Sequence, residues 1–364
     1  MKKSLKIWIV LLVLIIIGVS VYFTEVKKTD HIKIGSIEAL SGFAVFWGEP
    51  SKAGMELAVA DLKEQGIDVE VLFEDSEGKP DKAVSAAQKL ININKVDALF
   101  TDFSGPSSAV SPVAKDAKIL YGYSSFDSAI VEANPYSIKT FFDSTYECKV
   151  ASEYAKNKLG LTKIAYLGVK LSFTDACVAQ MTEVFGKENV FVEAAASPAE
   201  TDFRASLLKL KQNGVDMVIS YGYEANYEAI IKQNIETNSG VSLVCVESDC
   251  YSEKIKEKYP LSSLEGSILF DFNVPTEFKD RIKSKYGNNI NVRPAALSYD
   301  LLTYMVQAVV ACGNDVSCQI KHVSNNTQNK SVIEGSNYGG DRVFDLKNNY
   351  FMVKNGEKVA IDID

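Results

Sequence analysis

The residues whose chemistry could define a function are few, and most point away from catalysis. Cys245 with Cys250, and Cys312 with Cys318, stand close enough in sequence to close small disulfide loops, which leaves Cys148 and Cys177 as a third pair. Six reduced and partly buried thiols are the competing reading. Zinc would require paired Cys-x-x-Cys or Cys/His spacings, and the chain has none. His31 precedes the first strand and His322 lies beyond the second small cysteine loop, so neither is placed to act as a base or a metal ligand. There is no G-x-G-x-x-G after the first strand, no G-x-x-x-x-G-K-[ST] and no G-x-S-x-G. The expectation is a protein without metal, cofactor or enzymatic activity, one that binds. Trp47, in a polar loop after the first apolar run, is then the first residue of interest.

Elements must position such residues. Residues 32–37 form an apolar run of strand length, a glycine-bearing loop follows, and Met55, Ala58, Val59 and Leu62 recur at helical spacing. The pattern predicts a strand, a long loop holding Trp47, and a helix; in open α/β sheets, ligands bind outside the carboxyl ends of strands, where such loops lie. Further strands are expected at 69–73, 98–100 and 119–123, with a helix opening at Pro80. A second series begins near Thr140, with strands at 163–167, 190–192, 217–220 and 241–246 separated by helices at 174–185, 202–212 and 224–235. Alternation of this kind implies right-handed βαβ units and parallel sheets covered by helices. Helices at 278–286 and 295–311 and closing strands up to 359–363 follow. If the helices return to the first lobe and the strands to the second, the chain crosses three times, which makes a hinge.

At 364 residues the chain is long enough for two lobes with separate cores. Its net charge of -8 disfavours nucleic acid and anionic membrane surfaces as partners. Lys2, Lys3 and Lys6 precede an uncharged apolar run at 7–23. Residues 1–28 therefore read as an export signal, either cleaved after Ser20 or, the preferred reading, kept as an anchor in the cytoplasmic membrane through residues 7–23. The lysines held inside would leave the remainder extracytoplasmic, where disulfides persist. No cysteine precedes Cys148, so a lipid-modified cysteine is not available as a tether.

Six groups of residues occur in a telling order: Ile32-Lys33-Ile34-Gly35 with Leu40-Ser41-Gly42 and Trp47-Gly48; Glu74-Asp75-Ser76 with Pro80 and Ala83-Val84; Ser104-Gly105-Pro106; Thr201-Asp202-Phe203 with Leu207 to Lys211; Ala295-Ala296 with Ser298-Tyr299-Asp300; and Tyr338-Gly339-Gly340 with Phe344-Asp345. Together they resemble the periplasmic-binding-protein type I family, in its branched-chain amino-acid (Leu/Ile/Val) binding branch, the receptors of ABC importers. The resemblance implies an α/β fold of two Rossmann-like lobes with parallel central sheets joined by a three-crossover hinge. One lobe is expected from 32–141 plus 274–330, the other from 142–273 plus 331–364. They would close over a small ligand without covalent chemistry.

The resemblance also implies roles. Trp47 lays its ring against the ligand side chain, Tyr223 supplies a second ring, Glu247 supplies the carboxylate that pairs with a ligand ammonium, and Phe173 matches a less constant aromatic position. Gly105 and Phe126 stand where the family usually has hydroxyls for the ligand carboxylate; helix N–H groups after Pro106, with Ser104, Ser107, Ser124 or Ser125, are the available substitutes. Glu38 and Asp102 stand where the family is apolar or neutral. Each alone reads as a solvated loop acid, but if they line the cleft the ligand is cationic or a neutral amide. The expected partners are a small solute (amino acid, amide or cationic amine), the permease and ATPase subunits of an ABC importer, and the membrane through the N-terminal segment; the chain is expected to be a monomer. The alternative is a ligand-sensing ectodomain working with a separate signalling partner.

Overall fold

The computed structural model describes residues 31–141, 143–245, 248–325 and 331–363. The expected signal or anchor at 1–28 and Glu247 lie outside the described residues. The first sheet contains β1 (Ile32–Glu38), β2 (Val69–Asp75), β3 (Ala98–Asp102), β4 (Leu120–Ser124) and β5 (Ser137–Lys139) in the order β2-β1-β3-β4-β5, and every pair is parallel. Helices cover both faces, so β3 and β4 are buried along their whole length. Ile32, Ile34, Ala98, Phe100 and Leu120 face helices Val45–Glu64 and Val292–Cys312. Ile37, Leu99, Tyr121 and Tyr123 face helices Pro80–Lys89 and Ser104–Ala117.

The second sheet contains β6 (Ile164–Val169), β7 (Val190–Ala195), β8 (Met217–Ser220), β9 (Ser242–Cys245) and β10 (Ile268–Phe272), all parallel. A two-strand ribbon, β11 (Asn337–Tyr338) and β12 (Phe344–Asp345), precedes β13 (Asn348–Lys354) and β14 (Glu357–Ile361). These last two add an antiparallel edge next to β10, for the order β14-β13-β10-β9-β8-β6-β7. The two-lobed α/β architecture expected from the sequence is the one observed.

Two expectations need correction. Trp47 is not in a loop: after a single 3-10 turn, Gly42–Ala44, the helix begins at Val45. Gly48, Pro50 and Gly54 interrupt the apolar periodicity of its first turns, which is why the sequence pattern starts at Met55. The third passage between lobes also comes later than 330/331. Ile333, Tyr338 and Phe344 belong to the core of the first lobe, and Arg342 donates to the carbonyl oxygens of Asn134 (2.8 Å) and Val131 (2.6 Å). The ribbon therefore completes the first lobe, and the chain leaves it only just before β13.

Helix Val292–Cys312 is long and apolar enough to cross a membrane, but 67% of its apolar window is buried, as befits a core helix. It meets helix Val45–Glu64 backbone to backbone: a Cβ on Gly54 would lie 2.0 Å from the Ala295 carbonyl oxygen, and Ser298 donates to the Ser51 carbonyl at 2.7 Å. The three expected disulfides form, with Cα atoms 5.4 Å apart for Cys148–Cys177, 5.9 Å for Cys245–Cys250 and 5.6 Å for Cys312–Cys318. The first two lie in the second lobe and the third in the first.

Two outcomes are expected. Gly54→Ala must push the two helices apart and should cost about 1–3 kcal/mol of stability in chemical denaturation. Asp300, on the core helix, accepts hydrogen bonds from Ser331 and from Val332 N (2.9 Å), yet burial raises its pKa to about 7. The folded state thus holds a proton that the unfolded chain releases near pH 4. That contribution to stability is complete below about pH 4 and is lost as pH rises through about 7. Thermal melts should show this slope in the parent and a shallower one in Asp300→Asn.

Candidate functional site

In each sheet the chain reverses its direction of travel at one point, between β1 and β3 in the first lobe and between β6 and β8 in the second. The carboxyl ends of strands at such points form a crevice that helices cannot cover. Glu38 ends β1 and Asp102 ends β3; Phe173 follows β6, and Tyr221 and Tyr223 follow β8. Gly168 lets the second pair of strand ends close up, since a Cβ there would lie 2.1 Å from the Tyr221 carbonyl oxygen. Both reversal points thus contribute to one site between the lobes.

The site is lined with aromatic rings. Trp47, 8% exposed, packs edge-on against Phe141 (centroids 5.3 Å apart) and Phe103 (6.4 Å). Phe103 and Phe43 reach across to Tyr223 at 6.2 and 5.0 Å. Deeper in, Phe126 lies 4.8 Å from Phe141, 5.0 Å from Phe173 and 5.2 Å from Tyr221. Such pairs contribute about 0.5–1.5 kcal/mol each beyond area burial, so the rings hold the lobes together by direct contact. Phe103 reaches its place at a conformational cost: its φ of 60° with ψ of 146° is a region that side chains avoid, typically at about 1–3 kcal/mol.

The two acids are not solvated loop residues. β1 and β3 run further than their apolar cores suggest, so Glu38 and Asp102 are strand residues, both 0% exposed. The β1–β3 register, which pairs Ile37 with Thr101, sets them side by side. Ser36 and Ser51 donate to Glu38 Oε1 at 2.9 and 3.0 Å. Among the described residues, no side chain donates to Glu38 Oε2 or to either carboxylate oxygen of Asp102, whose carboxyl is approached by the backbone N–H groups of Ala39 and of Asp102 itself, and the two carboxyls lie within hydrogen-bonding reach of each other. Burial raises both pKa values, and repulsion from Glu38 raises that of Asp102 further. A shared proton on Asp102 is the consistent state.

The remaining expected residues separate into those near the cleft and those engaged elsewhere. Phe126, Phe173 and Tyr223 meet across the lobes, whereas Tyr221, 1% exposed, is a core residue of the second lobe. Trp47 and Tyr223 do not face each other directly; Phe103 stands between them. Ser104 and Gly105 open helix Ser104–Ala117, whose first N–H groups have no partner in the helical ladder. Gly105 is exposed and faces Pro80, 3.3 Å from where its Cβ would be. Ser107 is committed to Thr101 at 2.9 Å, and Ser125 accepts from Asp127 N at 3.3 Å. Ser124, at the end of β4, is buried and its hydroxyl has no partner among the described residues. Sequence reasoning missed Phe43, Phe103 and Phe141; only their aromatic type beside strand ends signals them. A crevice of about 1600 Å³ flanks this site, with Phe46 and Glu49 on one wall and Glu224 and Tyr251 on the other. It is an approach between the lobes, because the strand ends that carry the acids and rings lie outside its lining.

The profile of the periplasmic binding protein family matches residues 31–348. The chain belongs to this family. It is similar to the Leu/Ile/Val-binding protein homolog 7 of Brucella suis, 26% identical over 290 residues that cover 70% of this chain and 71% of the relative. The Leu/Ile/Val-binding protein of Escherichia coli is 23% identical over 224 residues, 59% of this chain and 61% of the relative. Among solved structures, the branched-chain amino acid transporter substrate binding protein of Streptococcus pneumoniae, in complex with isoleucine, superposes with a TM-score of 0.77 at 19% identity, over 91% of this chain and 99% of that one. A solute binding protein of an ABC transporter from Rhodopseudomonas palustris, in complex with 3,4-dihydroxybenzoic acid, also reaches 0.77 at 19% identity, covering 91% and 96%. These structural likenesses establish the shared two-lobed fold.

In a periplasmic binding protein the ring contacts between lobes should respond to opening. With Trp8→Phe in the background, Trp47 is the chain's sole tryptophan. Phe126→Ala should then shift its emission to the red and enlarge the radius of gyration in small-angle scattering, as the lobes part.

Proposed function

We propose that this protein is an extracytoplasmic solute receptor of an ABC importer, binding an amino acid or a related amino or amide solute between its lobes. The observation that carries this reading is the meeting of two strand-reversal points across one interface, with Trp47 and Phe103 on one side and Phe173 and Tyr223 on the other. Ligand contacts to both lobes would favour the closed state by differential affinity. The first N–H groups of helix Ser104–Ala117, which the N-cap side chain does not cap, suit a carboxylate, a group that isoleucine and dihydroxybenzoic acid, the solutes of two structural neighbours, have in common. Glu247, following β9, would take the ligand ammonium, with Trp47 against the ligand side chain. Residues 7–23 would hold the receptor at the cytoplasmic membrane, where permease and ATPase subunits act on it as partners. Relatives named for solute binding and the absence of nucleophile or nucleotide motifs favour binding over turnover.

Titration calorimetry with amino acids, amides, amines and benzoates tests the reading. One class should bind. Glu247→Ala should then weaken binding by about 2 kcal/mol or more, because it strands a buried cation, and Trp47→Ala by about 1–2 kcal/mol. Unchanged affinities in both variants would overturn the site assignment.

A further inference from the structure

The Glu38–Asp102 pair has a third member. Ser124 is the register partner of Asp102 in the β3–β4 ladder, so the two side chains point to the same face of the sheet. Glu38, Asp102 and Ser124 therefore form a row across the ends of three adjacent strands, roofed by the helix that carries Trp47 and Ser51. Ser124 is 7% exposed with a hydroxyl that has no partner among the described residues, and among these no side chain donates to three of the four carboxylate oxygens in the row. A buried carboxylate pair without a cation is costly, and a buried polar row is ordinarily satisfied. Apart from the proton shared by the acids and the Ser124 O–H, the row offers acceptors.

We propose that Glu38, Asp102 and Ser124 form the subsite for a cationic nitrogen group of the solute, so that the receptor selects a basic amino acid or a diamine over a leucine-like one. This inference rests on the solute-receptor reading and adds the class of solute. A protonated amine carries three N–H donors and a guanidinium five, enough to serve Glu38 Oε2, Asp102 and Ser124 together. In the empty site one proton shared by the acids takes the place of that cation; when the cation enters, the proton leaves to solvent and both carboxyls become charged. Other charged groups on the helices packed over the row do not supply a cation. Glu49 adds repulsion, the Lys52 ammonium lies over the Phe73 ring, Glu56 is paired with Tyr286, and Arg293 is paired with Asp271. Asp300, on the second of these helices, is held by Ser331 and Val332.

The test is titration calorimetry of the full-length chain with arginine, lysine, putrescine, glutamine, leucine and benzoate, each in two buffers of different ionisation enthalpy. The expected result is binding of a cationic solute with net proton release, tighter at about pH 8 than at about pH 5. Asp102→Asn and Glu38→Gln should each weaken that solute by about 30-fold or more and abolish the proton release. Should either variant fail to fold, proton release by the parent still decides the matter. Binding of leucine, glutamine or benzoate with no cationic solute bound, or cation binding without proton release, would overturn this subsite and leave the receptor reading standing. Binding of none of the six would overturn both.

Discussion

Phe126 belongs to two cores at once. Its ring packs on Phe141 at the exit of the first lobe and on Phe173 and Tyr221 inside the second, so the two lobes share apolar surface at the base of their interface. Everything nearer the mouth, from Trp47 and Phe103 to Phe43 and Tyr223, extends that contact outward. Each ring pair is worth little, about 0.5–1.5 kcal/mol, and a handful of them sets a closing energy of a few kcal/mol. That is the scale on which a small solute can change the balance between two states. A residue larger or more polar than Phe at 126 would alter the balance before any ligand arrived.

Much of the fold was legible in the residues because a parallel sheet buried on both faces needs continuous apolar runs, and the chain supplies them at 32–37, 98–100, 164–167 and 217–219. The elements that escaped notice lack that signal. β10 carries Asp271 inside a five-residue strand, and the β11–β12 ribbon is held by Arg342 reaching three backbone carbonyls of the first lobe, a tertiary contact with no local pattern. The late departure of the chain from the first lobe follows from that anchoring, which no periodicity in 331–346 announces.

The site was legible in part. Its place after the first apolar run pointed to Trp47, and the family resemblance to Trp47, Phe126, Phe173 and Tyr223, while the contribution of Phe103 depends on an unusual backbone angle that sequence does not display. Glu38 and Asp102 were visible as oddities but not as a pair, because their proximity follows from the crossover that places β3 beside β1. Two acids 64 positions apart in sequence share a face only once that register exists. Burial then raises the pKa of both side chains.

All six cysteines are spent within lobes: two bridges stiffen the second and one the first, and none spans the interface. The Cys148–Cys177 bridge, with a sequence separation of 29, removes about 3–4 kcal/mol worth of freedom from the unfolded second lobe in the chain-entropy account. Oxidation outside the cell thus hardens the two bodies without welding the joint. Mechanical compliance is concentrated in three thin strands of chain, and an oxidised molecule pulled or heated can lose the interface while each half survives as its own cooperative unit.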